Sequence, residues 1–131
     1  MPQHPTAKAR VLSIAGSDSG GGAGIQADIK TITALHGYAT TAITALTAQN
    51  TVGVQGILPV PPDFIRSQIR SVLDDIGTDA IKTGMLGGSD EIAVVAEEIT
   101  RAKMARPDLP IVIDPVMVAK GGAVLLKAEA L

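Results

Sequence analysis

The stretch Gly16–Asp28, GSDSGGGAGIQAD, decides how the rest of the chain is read. Ahead of it lies Val11–Ala15, VLSIA, a short apolar run with the character of a buried strand. Behind it, Ile25, Ile29 and Ile32 recur at i, i+4 and i+7, the spacing of one helix face. Strand, glycine-rich turn and helix together bring main chain close to a ligand. Glycine reaches positive φ cheaply and carries no Cβ to obstruct an approaching group. The unpaired N–H groups at the helix start then favour an anionic or polar group there.

Two phosphate fingerprints fail on this loop. A Walker A loop requires Gly-Lys, and no such pair occurs. Gly22, Gly24 and Ala27 satisfy G-x-G-x-x-A, but the dinucleotide fold also needs an acidic residue about 20 positions on. Between Asp28 and Asp63 there is neither Asp nor Glu. Asp28 itself lies about 60° from Ile25 around the helix, at the edge of the apolar stripe. Two readings fit it: compensation of the helix dipole near the N-terminus, or acceptance of a hydrogen bond from a substrate hydroxyl or amine.

The whole chain has the length of one ordinary domain, 131 residues. With 46% hydrophobic and 18% charged residues it is globular, and with 2% aromatics its core falls to Ala, Val, Ile and Leu. A net charge of −2 gives no electrostatic reason to expect nucleic acid or an anionic membrane as partner. No cysteine is present, which excludes disulfides, thiolate nucleophiles and Cys-ligated metal. His4 and His36 do not make a metal site; His36 reads as a cation near a helix C-terminus. Residues 1–10, MPQHPTAKAR, read as a loose polar tail and not as a signal peptide. No run is long enough to cross a bilayer, so the cytosol is the expected compartment.

Outward from the first helix, Gly37 is placed to stop it, and Ala39–Leu46 is a strand packed closely on both faces. Its C-terminal end emerges in the polar cluster Thr47–Thr51, and Val52–Val60 adds a short extended piece. Pro61 and Pro62 open a helix with Ile65, Ile69, Val72 and Ile76 inside and Arg66, Arg70 and Asp74 outside; Gly77 ends it. Asp79–Thr83 is a third strand, and Ser89 caps a helix through Lys103 with Ile92, Val95, Ala96 and Ile99 inside. Ile111–Asp114 is a fourth. Strands alternating with helices predict an α/β fold, a mostly parallel sheet with helices on both faces.

Ligands of such sheets sit beyond the carboxyl ends of the strands. The loops there are Gly16–Gly22, Thr47–Thr51, Gly84–Gly88 and Pro115–Gly122, all rich in glycine or polar residues. Gln49 offers an amide donor and a carbonyl acceptor, suited to the edge of a heterocycle or simply to water. Met85 suits a pocket wall or plain core. Lys82 and Lys120 suit phosphate or a solvated surface.

Read in order, GSDSGGGAGIQADIKT, ITALTAQNT, IKTGML and VIDPVMVAKGG closely resemble the hydroxymethylpyrimidine/phosphomethylpyrimidine kinases of thiamine biosynthesis, from Val11 to the end of the chain. That family is ribokinase-like. The resemblance implies ATP- and Mg2+-dependent phosphorylation of an aminopyrimidine's hydroxymethyl group and then of the monophosphate. It places Gln49 against the aminopyrimidine, and Gly16, Asp28 and Met85 along the pocket. Asp114 and Lys120 fall in the Mg-phosphate region. The superfamily is often dimeric, which implies a homodimer. Its G-x-G-D anion hole and its base or cysteine lie in a later half, so the resemblance puts the catalytic groups past Leu131 and none within the chain. Here Gly87-Gly88-Ser89-Asp90 has the wrong order for the anion hole, and Gly121-Gly122-Ala123 stands where the family often has Ser-Gly-Asp. Residues 11–131 then correspond to the truncated, substrate-side N-terminal half of the domain. Little kinase turnover is expected from them alone, and a sheet ending in an unpaired strand is expected to aggregate. A pyridoxal or pyridoxine kinase, a non-catalytic pyrimidine-binding module and an inert product are the competing readings.

Overall fold

The structure is a computed structural model that describes residues 8–116. Its centre is β1 (Arg10–Ala15), which begins in the expected tail because Arg10 is clamped to Asp79. Hydrogen bonds from the Arg10 guanidinium and amide hold the Asp79 carboxyl well below the usual carboxylate range. After the glycine loop come α1 (Gly24–Ala34), β2 (Tyr38–Ile43), β3 (Ala45–Gln49) and β4 (Val54–Pro59). Then follow α2 (Pro62–Ser71), a single π turn at Val72–Ile76, β5 (Ala80–Thr83), α3 (Ser89–Ala105) and β6 (Ile111–Ile113).

Four strands form a parallel sheet in the order β2-β1-β5-β6. Side-chain alternation along β1 sorts its two faces. Leu12 and Ile14 point into a core with Ile65 and Ile69 of α2, Ile81 of β5 and Val95 of α3. Ser13 points the other way, toward α1. Helices thus cover both faces, as the alternation of elements predicts. The outer edge of β6 has no partner among the described residues, and Val112 and Ile113 are exposed there. What the resemblance implies for the stretch from residue 117 to Leu131, and past it, lies outside the described residues.

Several expectations change. Ala39–Leu46 is two strands, not one. At Thr44 the chain leaves the parallel sheet, its N–H donating to Ala15 O and its hydroxyl to Met85 O. β3 then pairs antiparallel with β4 as a separate hairpin. No glycine or proline marks Thr44, and the run of small and β-branched residues continues through the break. Ile76 drops off the α2 stripe, since Gly77 N–H reaches back five residues to Val72 O and the wider turn rotates it outward. Ile29 on α1 is also half-exposed, and of that stripe only Ile25 is buried. On α3 the cap is Gly88, not Ser89; its N–H donates to Glu91 Oε2 at 3.0 Å. The helix buries Val94, Val95 and Glu98 and leaves Ala96 exposed, because it leans on α2. Arg66 and Arg70 therefore turn to Glu98 rather than outward.

The stop of α1 is likewise shifted. His36, with φ of 65°, takes the left-handed position assigned to Gly37. Its N–H donates to Thr33 O, and the Gly37 N–H to Ile32 O, the two closing bonds of a Schellman turn. A histidine in that conformation carries a Cβ penalty that glycine lacks. His36→Gly is expected to raise the unfolding free energy by about 1 kcal/mol, read by chemical denaturation. An unchanged midpoint would show that the imidazole makes up for the backbone cost.

Candidate functional site

The glycine loop is built around Asp18. This side chain, 5% exposed, turns its carboxylate back onto the loop. Oδ1 accepts from Gly20 N–H at 2.7 Å, and Oδ2 from Gly22 and Ala23 N–H at 2.9 and 2.8 Å. The anion expected at the helix start is thus supplied by the chain itself. Gln26 Oε1 accepts from Asp18 N–H at 2.7 Å, locking the loop to α1. Gly24, with φ of 57°, closes the turn: a Cβ there would strike Gly16 O, the acceptor of the Ile25 N–H. At Gly16 a Cβ would displace the Met85 Cε methyl, so the glycine leaves that side chain its place against the loop.

The hairpin is stitched to the same loop. Ser17 N–H donates to Ala45 O, and the Thr47 hydroxyl to Ser17 O at 2.9 Å. Ser19 Oγ accepts from Gln49 N–H at 2.7 Å and donates to Gln49 O at 2.6 Å. These bonds fix the Gln49 backbone. Its side-chain amide has no hydrogen-bond partner among the described residues.

Between loop, hairpin and the carboxyl ends of β1 and β5 lies a cavity of about 340 Å³. Gly16, Asp28, Gln49, Met85 and Asp114 all line it. Met85 is buried as well as lining, with its carbonyl held by Thr44. Asp28 stands in the second turn of α1, past the reach of the helix dipole, and its Oδ2 accepts from Ser13 Oγ at 2.7 Å and Lys82 Nζ at 2.8 Å. Lys82 is therefore not a solvated surface lysine. Lys120 lies outside the described residues, and so does Leu131, past which the resemblance places the base and the anion hole.

Sequence reasoning passed over Asp18, Ser13 and Thr44. For Asp18 a signal existed: Asp two residues ahead of glycine is the pattern of a side chain bonding its own downstream backbone. For Ser13 and Thr44 there was none, since their roles come from strand register and from a break that composition does not mark.

A family model described as phosphomethylpyrimidine kinase matches residues 18–131. The hydroxymethylpyrimidine/phosphomethylpyrimidine kinase of Mycobacterium leprae is 51% identical over 130 residues, covering 99% of this chain and 46% of that protein. The crystal structure of phosphomethylpyrimidine kinase from Clostridium difficile superposes with a TM-score of 0.82 at 44% identity, covering 94% of this chain and 52% of that one. A Staphylococcus aureus pyridoxal kinase in complex with AMP-PCP and pyridoxal gives 0.73 at 39% identity, covering 85% and 40%. The chain spans about half the length of the proteins it matches, or less.

Proposed function

Because this chain belongs to the phosphomethylpyrimidine kinase family, we propose that its cavity is the aminopyrimidine side of a kinase site. The proposed activity of the whole protein is ATP-dependent phosphorylation of 4-amino-5-hydroxymethyl-2-methylpyrimidine and then of its monophosphate, in thiamine diphosphate biosynthesis. What carries the reading is one juxtaposition. The uncommitted Gln49 amide and the Asp28 carboxylate line the same cavity, beside the apolar Met85. An aminopyrimidine ring needs an apolar surface for its faces and paired donors and acceptors for its edge.

The glycine loop does not suit the phosphates of ATP, because Asp18 already occupies its N–H groups. Asp114 is the described residue suited to the phosphate side, exposed at the end of β6. Among the described residues no group of three His, Cys, Asp or Glu side chains is placed to hold a metal. They do not make a magnesium site by themselves; Asp114 would be one ligand beside the nucleotide's own phosphates. Nor is any helix among them long and apolar enough to cross a membrane. The setting we propose is cytoplasmic, where ATP and magnesium are at hand. A homodimer is the proposed assembly, and sedimentation of the chain tests it.

Isothermal titration of the 131-residue chain with the hydroxymethylpyrimidine tests the reading. Saturable binding is expected, weakened in Gln49→Ala by about 1–3 kcal/mol, the scale of an unmet polar partner. Equal affinity in the variant would remove Gln49 from the site. The Staphylococcus aureus relative supports a second reading, a pyridoxal-type kinase, and competition between pyridoxal and the aminopyrimidine separates the two.

A further inference from the structure

We propose that Lys82 is a positioning residue for Asp28, pinning one carboxylate oxygen so that the other meets the ligand's exocyclic amine. The inference rests on the aminopyrimidine reading of the cavity. Strand register creates the arrangement. Ser13 on β1 and Lys82 on β5 are direct partners in the parallel pair and so share the face that looks at α1. Asp28 comes down from α1 onto both. The hydroxyl and the ammonium converge on a single atom, Oδ2, at 2.7 and 2.8 Å. Rotating the carboxylate would break both bonds at once. Oδ1 has no hydrogen-bond partner among the described residues. It is therefore the oxygen open to a donor in the cavity that Asp28 lines.

Charge separates this role from that of a phosphate hook. Of the described residues around the cavity, Asp18, Asp28 and Asp114 are acidic and Lys82 alone is basic. The Lys82 ammonium is already bonded to the Asp28 carboxylate, which an anionic group there would have to displace, whereas an amine donor would be welcomed by Oδ1. Room for the ammonium is also provided for. A Cβ at Gly84 would lie 3.0 Å from Lys82 Nζ and 2.9 Å from Ala15 Cβ. Lys82 and Asp28 are only 24% and 19% exposed, so the bond between them is partly sheltered from competing water.

The test is a double-substitution cycle read by titration with 4-amino-5-hydroxymethyl-2-methylpyrimidine. Lys82→Met is expected to weaken binding by about tenfold or more, the scale of a hydrogen bond to a charged group. Lys82→Arg, which can still donate to Oδ2, restores most of it. In an Asp28→Asn background Lys82→Met should add less than about twofold, because sites that act through one another do not add. The analogue lacking the 4-amino group should bind the unmodified protein and Lys82→Met alike. Additive losses, or a loss confined to the phosphorylated ligand, would overturn the inference and make Lys82 a direct ligand contact. If the unmodified chain binds no pyrimidine, the reading of the cavity fails, and the positioning role is then judged on the free protein. There the carboxyl carbon resonance of Asp28 should be single in the unmodified chain and Lys82→Arg, and shifted or doubled in Lys82→Met. A resonance indifferent to Lys82→Met would sink the proposal without any ligand.

Discussion

Glu98→Ala is expected to lower the unfolding free energy by about 3 kcal/mol, near the lower end of the range for breaking a buried ion pair. The carboxylate is 1% exposed between α2 and α3. Arg66 Nη1 donates to Oε1 at 2.7 Å, and Arg70 donates to both oxygens from 3.1 to 3.2 Å. Arg101 approaches Oε2 at 3.6 Å. The lower end applies because Arg70 and Arg101 are 46% and 47% exposed and can return to water when the carboxylate is gone. Alanine leaves a cavity as well as an unmet charge cluster. Glu98→Met fills that space and is expected to cost clearly less.

The reverse experiment separates charge from packing. Arg66→Met with Arg70→Met leaves the buried carboxylate without its main counter-charges, and is expected to be more damaging at pH 7 than Glu98→Met. Adding Glu98→Met to that pair should recover much of the loss. The pH dependence follows the same logic. Burial alone would push the Glu98 carboxyl up, but hydrogen bonds from Arg70 and Arg66 outweigh it and hold the group below its ordinary value. Its contribution is therefore complete above the unfolded value of about 4.3 and is lost as pH falls toward the lowered folded one. In the doubly substituted chain Arg101, at 3.6 Å and half-exposed, is the one counter-charge left to set against burial, so acidification should relieve much of the loss. A stability difference between unmodified chain and pair that stays constant with pH would show that charge is not its source.

How far the sequence could be read differs between backbone pattern and tertiary choice. Val11–Ala15 was legible as a short apolar run, the turn after it as a cluster of glycines, and the helix from apolar residues at a 3.6-residue period. So were the ends of β1, β5 and β6, and the residues Gly16, Asp28, Gln49, Met85 and Asp114 line one cavity; residues 47–49, read as a loop, instead belong to strand β3. The hairpin was not legible. Its first strand continues the small and β-branched run of β2 without a breaker, and at Thr44, where the chain turns, a hydroxyl finds the Met85 carbonyl 41 residues away. Arg66 and Arg70 looked solvated because their partner Glu98 is on another helix, and a helical wheel of α2 alone carries no trace of it. The same holds for Lys82, whose neighbours are set by register with Ser13. Local pattern reports which side of an element is apolar; it does not report which charged side chain a second element brings across.

Asp18→Ala is expected to remove binding of the aminopyrimidine by more than tenfold and to destabilise the chain by about 2–4 kcal/mol. That cost is the sum expected when three backbone donors lose a charged acceptor but regain some water. The three N–H groups of Gly20, Gly22 and Ala23 converge on this one carboxylate, and the loop they belong to also carries Gly16 and Gly24 of the cavity wall. Freed of Asp18, they become a cluster of donors at the start of α1, the arrangement that favours anions. The variant should therefore gain affinity for inorganic phosphate while losing the pyrimidine. Asp18→Asn sharpens the test. One amide oxygen can serve one side of the loop, but the –NH2 faces backbone donors on the other, so at least half the destabilisation should persist. If the asparagine variant is as stable as the unmodified chain and binds as well, the loop needs only a short hydrogen-bonding side chain. If it loses both stability and binding, the negative charge of Asp18 is what shapes this wall of the cavity, and it does so by occupying donors that an anionic ligand would otherwise find.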